Sequence, residues 1–193
     1  GTGCVGLSGR GGLIDWQIFN RPSIGFTLPR TFPIIWAKEK GQPAVCRVLL
    51  APPLPPYEGN GHGTFAFSGE GFPHMDSCTF RGEFPFAWVD FISRKLPITV
   101  SLEAYNPFVP SDPDASGFPA AILKYTLKNR TQNTVETTIA WSLFNAVGCI
   151  GSAQNEPGRG GTEFGLGGNV NQYEERGKLR GLFFTSEKWP ENH

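Results

Sequence analysis

A cluster of polar and aromatic side chains near the start of the chain is the first candidate for chemistry. Asp15, Trp16, Asn20 and Arg21 stand within "DWQIFNRP", and Arg10 precedes them in a glycine-rich stretch. A tryptophan ring can stack on a sugar, while carboxylate, amide and guanidinium groups hydrogen-bond to its hydroxyls. The same residues would equally suit a strand entry with a buried tryptophan and an Asp–Arg ion pair. The segment predicts either that structural cluster or an interdomain or pocket-rim surface that meets a sugar or a neighbouring domain.

The opening residues "GTGCVG" have the spelling G-x-G-x-x-G of a dinucleotide-binding loop. That loop works only where it follows a strand and opens a helix whose N-terminus faces the pyrophosphate. Here Gly9, Gly11 and Gly12 follow, and each would weaken a helix by about 1 kcal/mol relative to alanine. We therefore predict no cofactor, and expect the glycines to let the backbone turn and approach a partner surface.

The other titratable residues form no familiar catalytic pattern. His62 and His74 stand in turn-like sequences, no G-x-S-x-G elbow occurs, and "DPD" at 112–114 lacks the further ligands of a calcium loop. The sequon "NRT" at 129–131 would accept a glycan only in a secreted chain. We expect no catalytic residue and no metal site.

The four cysteines are Cys4, Cys46, Cys78 and Cys149. They contain no C-x-x-C pair, and zinc sites need ligands more closely paired than these. Two disulfides are possible, but a chain of this length does not need them. We expect buried free thiols, which suit a reducing compartment, and hence a cytoplasmic protein.

Composition limits the class of protein. The 193 residues include 17 basic and 17 acidic residues, so no basic patch indicates nucleic-acid binding. No apolar run approaches the roughly 18 residues of a membrane span. The chain has 25 glycines and 17 prolines between short aromatic-rich runs, and no convincing amphipathic helix. This pattern favours an all-β fold.

Alternation of apolar and polar residues supports that class. Ile98, Val100, Leu102 and Ala104 fall on one face of a predicted strand. "FPIIWAKEKGQPAVCRVLL" predicts two strands around a polar turn at 38–43, and "LRGLFFTS" predicts a last strand. A buried face opposite a polar one is typical of an antiparallel sandwich.

The clearest alternation lies in "AAILKYTLKNRTQNTVETTIAWSLFN". Apolar residues recur at every second position from Ala121 to Leu127 and, with one threonine, from Val135 to Leu143. We predict an antiparallel hairpin about a turn at 129–133, with Trp141 in the core between two sheets. The glycine-rich residues after Phe144 are expected to form a long loop.

Several phrases in order give the chain a family resemblance. "GTGCVGLSGRGGLIDWQIFNRP", "FRGEFPFAWVDF", "LPITVSLEAYNPFVPSD", "FPAAILKYTLKN", "WSLFNAVG" and "GLFFTSEKWPENH" together span nearly all of it. They closely resemble the N-terminal domain of glycoside hydrolase family 116, the β-glucosidases that include the non-lysosomal glucosylceramidase.

The resemblance implies a noncatalytic domain over residues 1–193: a large antiparallel β-sandwich, expected to break off early at its C-terminal end. Its partner would be a following helical (α/α)₆ barrel, absent here, that carries a glutamate nucleophile and an aspartate acid/base. That barrel would hydrolyse β-glucosides or glycolipids with retention of configuration. The alternative is a stand-alone carbohydrate-binding β-sandwich module.

Overall fold

Antiparallel strands account for about half of the residues described in this computed structural model, which covers residues 5–17, 27–52, 69, 71–118, 120–147 and 168–187. The strands within these ranges are β1 (Gly6–Leu7), β2 (Leu13–Ile14), β3 (Phe32–Glu39), β4 (Val45–Val48), β5 (Ser77–Glu83), β6 (Phe86–Ile92), β7 (Ile98–Tyr105), β8 (Ile122–Asn129), β9 (Val135–Ser142), β10 (Asn169–Arg176) and β11 (Leu179–Ser186). One short helix, α1 (Pro113–Ser116), lies in the same described ranges. No described helix has the length and apolar character needed to cross a bilayer.

Two sheets enclose the main core. One has the order β4-β3-β9 and the other β5-β6-β7-β8, with antiparallel pairing throughout. Ile35 and Ala37 of β3 pack in a single buried cluster with Val89 of β6 and Leu102 of β7. The predicted all-β antiparallel sandwich is confirmed.

Strand β7 shows how the sequence produces this arrangement. Ile98, Val100, Leu102 and Ala104 are all buried, whereas Thr99 between them is exposed. Successive side chains of a strand point to opposite faces, so alternation places every apolar residue in the core. Burying a valine, leucine or isoleucine stabilises the fold by about 1.5–3 kcal/mol.

The predicted hairpin at 121–143 is wrong. Strand β8 pairs with β7, whereas β9 pairs with β3 in the other sheet. The connection is therefore an arch that crosses from one sheet to the other. Asn129 organises it, because its Oδ1 accepts from the Thr131 backbone N–H at 2.8 Å and its Nδ2 donates to the Asn133 carbonyl at 2.8 Å. Alternation of apolar residues shows which face of a strand is buried, but not which strand it pairs with. Two strands in opposite sheets that face the same core show the same alternation as two paired strands.

Trp141 lies on the inward face, as predicted, but it is only half-buried. Its ring meets Tyr125 of the opposite sheet, with centroids 6.5 Å apart. Leu143, expected on the same buried face, is 43% exposed. Trp141 and Leu143 are less buried than a core position because β9 lies at the edge of its sheet, so its last residues are covered from one side only.

The predicted strands around 38–43 are confirmed as β3 and β4, and the predicted last strand as β11. Strand β10 was missed, since "NVNQYEER" is polar on both faces and has no apolar alternation. It pairs with β11 in a second compact unit, Leu143–His193. In that unit the buried Asn145 amide nitrogen lies 2.7 Å from Asn171 Oδ1 and 3.2 Å from the Val170 carbonyl oxygen.

Candidate functional site

The glycine-rich loop joins β1 to β2 and folds onto the domain itself. The Ser8 N–H donates to the Gly12 carbonyl at 2.8 Å, and the Gly11 N–H donates to the Ser8 carbonyl at 2.9 Å. Gly11 is buried with φ +93°, and a Cβ there would stand 2.6 Å from Cε1 of Phe91. At Gly11 the close approach that glycine permits is therefore to β6 of this chain. The expected approach of the rest of the loop to a partner surface stays a prediction.

Arg10 lies in the same turn and is half-buried. Its Nε donates to the Ala51 carbonyl at 2.8 Å, and the Ala51 N–H donates to the Arg10 carbonyl at 3.0 Å. This reciprocal pair ties the β1–β2 turn to the segment that follows β4.

Asp15 and Trp16 directly follow β2, and both are half-buried. Asp15 has φ +54°, in the left-handed region that residues other than glycine rarely adopt. The indole N–H of Trp16 is buried and has no hydrogen-bond partner among the residues described. Asn20 and Arg21 lie outside the described residues, so the predicted contact surface stays a prediction.

A second group of side chains crosses the outer face of the four-stranded sheet. Arg81, Trp88, Glu103 and Lys124 are register neighbours, one from each strand from β5 to β8. The Arg81 guanidinium carbon lies 4.1 Å from the Trp88 ring centroid. The Trp88 indole N–H donates to Glu103 Oε2 at 3.2 Å, and Lys124 Nζ lies 3.3 Å from Glu103 Oε1. We call this row the ladder.

The next row toward the β7 N-terminus carries shorter side chains. Thr79, Asp90, Ser101 and Thr126 are again register neighbours across the four strands. None of their side chains has a hydrogen-bond partner among the described residues. The ladder and this row line a shallow trough with a volume of about 360 Å³. Long side chains form one wall of the trough, and the short row supplies unpaired hydroxyls and one carboxylate.

Hydrogen bonding favours the charged form of Glu103 in the ladder. The Trp88 indole N–H, and next the Lys124 ammonium, lower the pKa of Glu103 below its ordinary value. Both contacts favour the anion. Glu103 therefore remains a carboxylate acceptor between Trp88 and Lys124 at neutral pH.

Aromatic rings continue from the ladder toward the β5–β6 turn. Phe86 stacks on Trp88 with centroids 5.6 Å apart and ring planes at 23°, and Tyr105 lies 5.2 Å from Phe86. At the end of the sheet Phe84 meets Phe108 edge-on at 5.2 Å. The outer face thus combines a polar trough with an adjoining aromatic strip.

A family model described as beta-glucosidase 2, glycosyl-hydrolase family 116 N-term, matches residues 1–193. The chain belongs to the family 116 N-terminal domains. No curated protein matches it. The family that the sequence phrases indicated is therefore confirmed over the whole chain.

Sequence reasoning missed the trough of this family 116 domain. Its residues stand on the outer face, where polar side chains normally do no more than meet water. One signal was present: "EFPFAWVDF" has aromatic residues on both faces of the strand. Those on the outward face, Phe86 and Trp88, are not needed for the core and could have indicated a site. The register that brings Arg81 and Lys124 into line with Trp88 is a tertiary property of the sheet.

The cysteines of the family 116 domain are partly as predicted. Cys46 and Cys78 are free thiols, but Cys46 is exposed rather than buried. Its neighbour Val45 points into the core, so alternation turns Cys46 outward. The half-buried Cys78 donates its S–H to the Gly9 carbonyl at 3.1 Å, and burial raises its pKa. Cys4 and Cys149 lie outside the described residues.

The remaining candidate residues have local roles. His74 Nδ1 lies 2.8 Å from the Phe72 carbonyl oxygen, and Asp112 caps α1 by accepting from the Ala115 N–H at 2.9 Å. Within the described parts of the chain, no three His, Cys, Asp or Glu side chains are grouped so as to hold a metal ion. His62 lies outside those parts.

Proposed function

We propose that this chain is the noncatalytic N-terminal domain of a retaining β-glucosidase and that it supports a helical barrel domain carrying the catalytic carboxylates. One observation carries the proposal: the family 116 N-terminal model matches residues 1–193. In this reading the sandwich binds the barrel and helps to shape the mouth of its pocket.

The electrostatics of two described carboxylates, Asp76 and Glu103, suit neither of them to acid catalysis. Retaining hydrolysis needs a carboxyl group that stays protonated until it donates to the leaving group, which requires a raised pKa. Asp76 has a lowered pKa, because the Arg94 backbone N–H donates to it, and the pKa of Glu103 is lowered as well. Both shifts are in the wrong direction for a general acid.

The substrates would be β-glucosides, including glycolipids such as glucosylceramide, bound by the barrel domain. We place the protein in the cytoplasm. The exposed free thiol of Cys46 supports this, since exposed unpaired cysteines suit a reducing compartment.

The test compares the 193-residue chain, the barrel domain encoded downstream in the same reading frame, and their mixture. We expect no hydrolysis of an aryl β-glucoside by the chain alone, association of the two domains by analytical ultracentrifugation, and hydrolysis by the complex. A barrel domain that is fully active and stable without the chain, and does not bind it, would contradict the supporting role. A reading frame with no barrel would favour the stand-alone carbohydrate-binding module.

The segment containing Arg10, Asp15, Trp16, Asn20 and Arg21 is the part of the domain that we assign to this docking. The half-buried Trp16, whose indole N–H has no hydrogen-bond partner among the described residues, supports the assignment. Arg21→Ala should weaken domain association without changing the melting temperature of the chain, and Lys40→Ala, at an exposed turn, should change neither. A lower melting temperature with unchanged association would make Arg21 a structural residue.

A further inference from the structure

We propose that the trough on the outer face of the β5-β6-β7-β8 sheet binds one neutral pyranose unit. This goes beyond the proposed barrel-supporting function and does not rest on it, because the trough lies on strands other than the docking segment.

The size of the trough fits a single sugar ring. Its volume of about 360 Å³ lies at the lower end of the roughly 300–1,000 Å³ range of small-molecule sites. It is bounded by side chains of four paired strands, whose spacing is fixed by the backbone hydrogen bonds of the sheet. The backbone positions from which the lining side chains project are therefore fixed before a ligand arrives.

The hydrogen-bonding groups match a polyol. Thr79, Ser101 and Thr126 supply hydroxyls that both donate and accept, and Asp90 supplies a carboxylate that only accepts. These four side chains have no partner among the described residues, so they can bind a ligand without breaking a contact. A sugar carries adjacent hydroxyls that are also donors and acceptors, and can satisfy several of these groups at once.

The charges favour a neutral ligand over an ion. Glu103 lies between Trp88 and Lys124 in the ladder; its carboxylate accepts from the Trp88 indole N–H at 3.2 Å and lies 3.3 Å from Lys124 Nζ. Arg81 is directed onto the Trp88 ring and to Glu83 Oε1 at 3.3 Å. Asp90 is left facing the trough with no ion-pair partner among the described residues, so an anionic ligand would be repelled there.

An aromatic wall supplies the remaining element of sugar recognition. Trp88 lines the trough, and its ring stacks with Phe86 of the same strand and carries the Arg81 guanidinium over it from the neighbouring strand. The C–H groups of a pyranose make van der Waals contact with the rim of this ring while its hydroxyls bind the short row.

The experiment titrates the 193-residue chain with methyl β-D-glucopyranoside and follows the indole N–H signals in ¹H–¹⁵N spectra. The Trp88 signal is assigned as the one lost in Trp88→Phe. We expect this signal to shift and to saturate as the glucoside is added. Methyl β-D-glucuronide should need a higher concentration for the same shift, because Asp90 repels its carboxylate. The absence of a saturable shift at Trp88, or equal binding of the glucuronide, would overturn the proposal.

Paired variants locate the site. Asp90→Asn should weaken binding about tenfold and Ser101→Ala about threefold, the losses expected for hydrogen bonds to a charged and a neutral group. The matched controls are Asp114→Asn in α1 and Thr99→Ala, which lies on the same face of β7 as Ser101 but outside the trough. All four residues are on the surface or half-buried, and thermal unfolding checks that each variant folds.

Two outcomes contradict the proposal while leaving the domain assignment intact. Binding that both trough variants leave unchanged would place the sugar elsewhere on the chain. Weaker association of Asp90→Asn with the barrel domain, without any sugar-induced shift at Trp88, would make the trough a protein-docking surface instead.

Discussion

Tyr125 and Trp141 face each other across the interior of the sandwich, with ring centroids 6.5 Å apart and ring planes at 59°. They belong to strands that are consecutive in sequence but lie in opposite sheets. The pair therefore joins the two layers of the sandwich.

The hydroxyl of Tyr125 is buried with no hydrogen-bond partner among the described residues, and burial raises its pKa well above the ordinary value. Tyr125→Phe should stabilise the fold by about 1 kcal/mol, because it removes a desolvated polar group. In the wild type the folded state binds the Tyr125 proton more tightly than the unfolded state does. The free energy of unfolding should therefore fall as the pH rises above about 10, the ordinary pKa of tyrosine. Urea denaturation of both forms at pH 8 and pH 10.5 measures this, and equal pH dependence would show that the hydroxyl reaches water.

Trp141→Ala should destabilise the chain by about 2 kcal/mol, less than the 3–5 kcal/mol of a fully buried ring, since the Trp141 side chain is only partly buried. Chemical denaturation measures the loss. A matched Leu143→Ala, at a residue that is 43% exposed, should cost under about 1 kcal/mol. Equal losses would mean that Trp141 makes no special contact between the sheets.

Gly11→Ala should destabilise the fold by about 2–3 kcal/mol, because the new Cβ would meet Phe91 at 2.6 Å and the residue has φ +93°. Gly41→Ala is the control: φ is +81° there, but nothing lies within 4 Å, so only the backbone cost of about 1 kcal/mol remains. Thermal unfolding separates the two. Adding Phe91→Leu to Gly11→Ala should recover part of the steric loss, and a purely additive double variant would argue against the contact.

Glu103→Gln should flatten the loss of stability in acid. The pKa of Glu103 is lowered in the folded state by Trp88 and Lys124, so its contribution is present above the unfolded value near 4.3 and is lost as the pH falls through the folded value. Melting temperatures from pH 7 to pH 3 test this. The control is Glu136→Gln on β9, an exposed residue, which should keep the wild-type dependence of melting temperature on pH. If Glu103→Gln showed that same dependence, the contacts of Glu103 in the ladder would contribute nothing to stability.

Cys46 should be alkylated by iodoacetamide much faster than Cys78. Cys46 is exposed, whereas Cys78 is half-buried and its raised pKa leaves less reactive thiolate at pH 8. Mass spectrometry of peptides from a time course measures each site, and mild denaturant should abolish the difference. Comparable rates in the native chain would mean that the β1–β2 turn does not cover Cys78.

The sequence predicted which faces are buried far better than which strands pair. Val100 and Leu102, and likewise Leu127, lie inward because a residue's own neighbours determine its alternation. Whether β8 pairs with β9 depends on β3, whose hydrogen-bonding edge fits β9 and lies far away in sequence.

The candidate site was harder still to predict. Arg10 proved to anchor a turn through Ala51, a contact that no local pattern encodes. The trough depends on Arg81, Trp88, Glu103 and Lys124 falling in one row, and a shift of register by a single residue would disperse them. Polar residues on an outward face are not needed for the core, so their positions produce no pattern that a single sequence can show.

The pairing of β3 with β9 has a consequence for how the protein is made on the ribosome. β3 and β4 leave the ribosome early, and the apolar side of β3, including Ile35, then waits for a partner strand that is synthesised only after the entire β5-β6-β7-β8 sheet. During that interval an unpaired strand edge and an uncovered apolar face are open to other chains. Slowing translation between β4 and β9 should therefore increase aggregation of the nascent chain, whereas slowing it after Ser142 should have little effect on this sandwich.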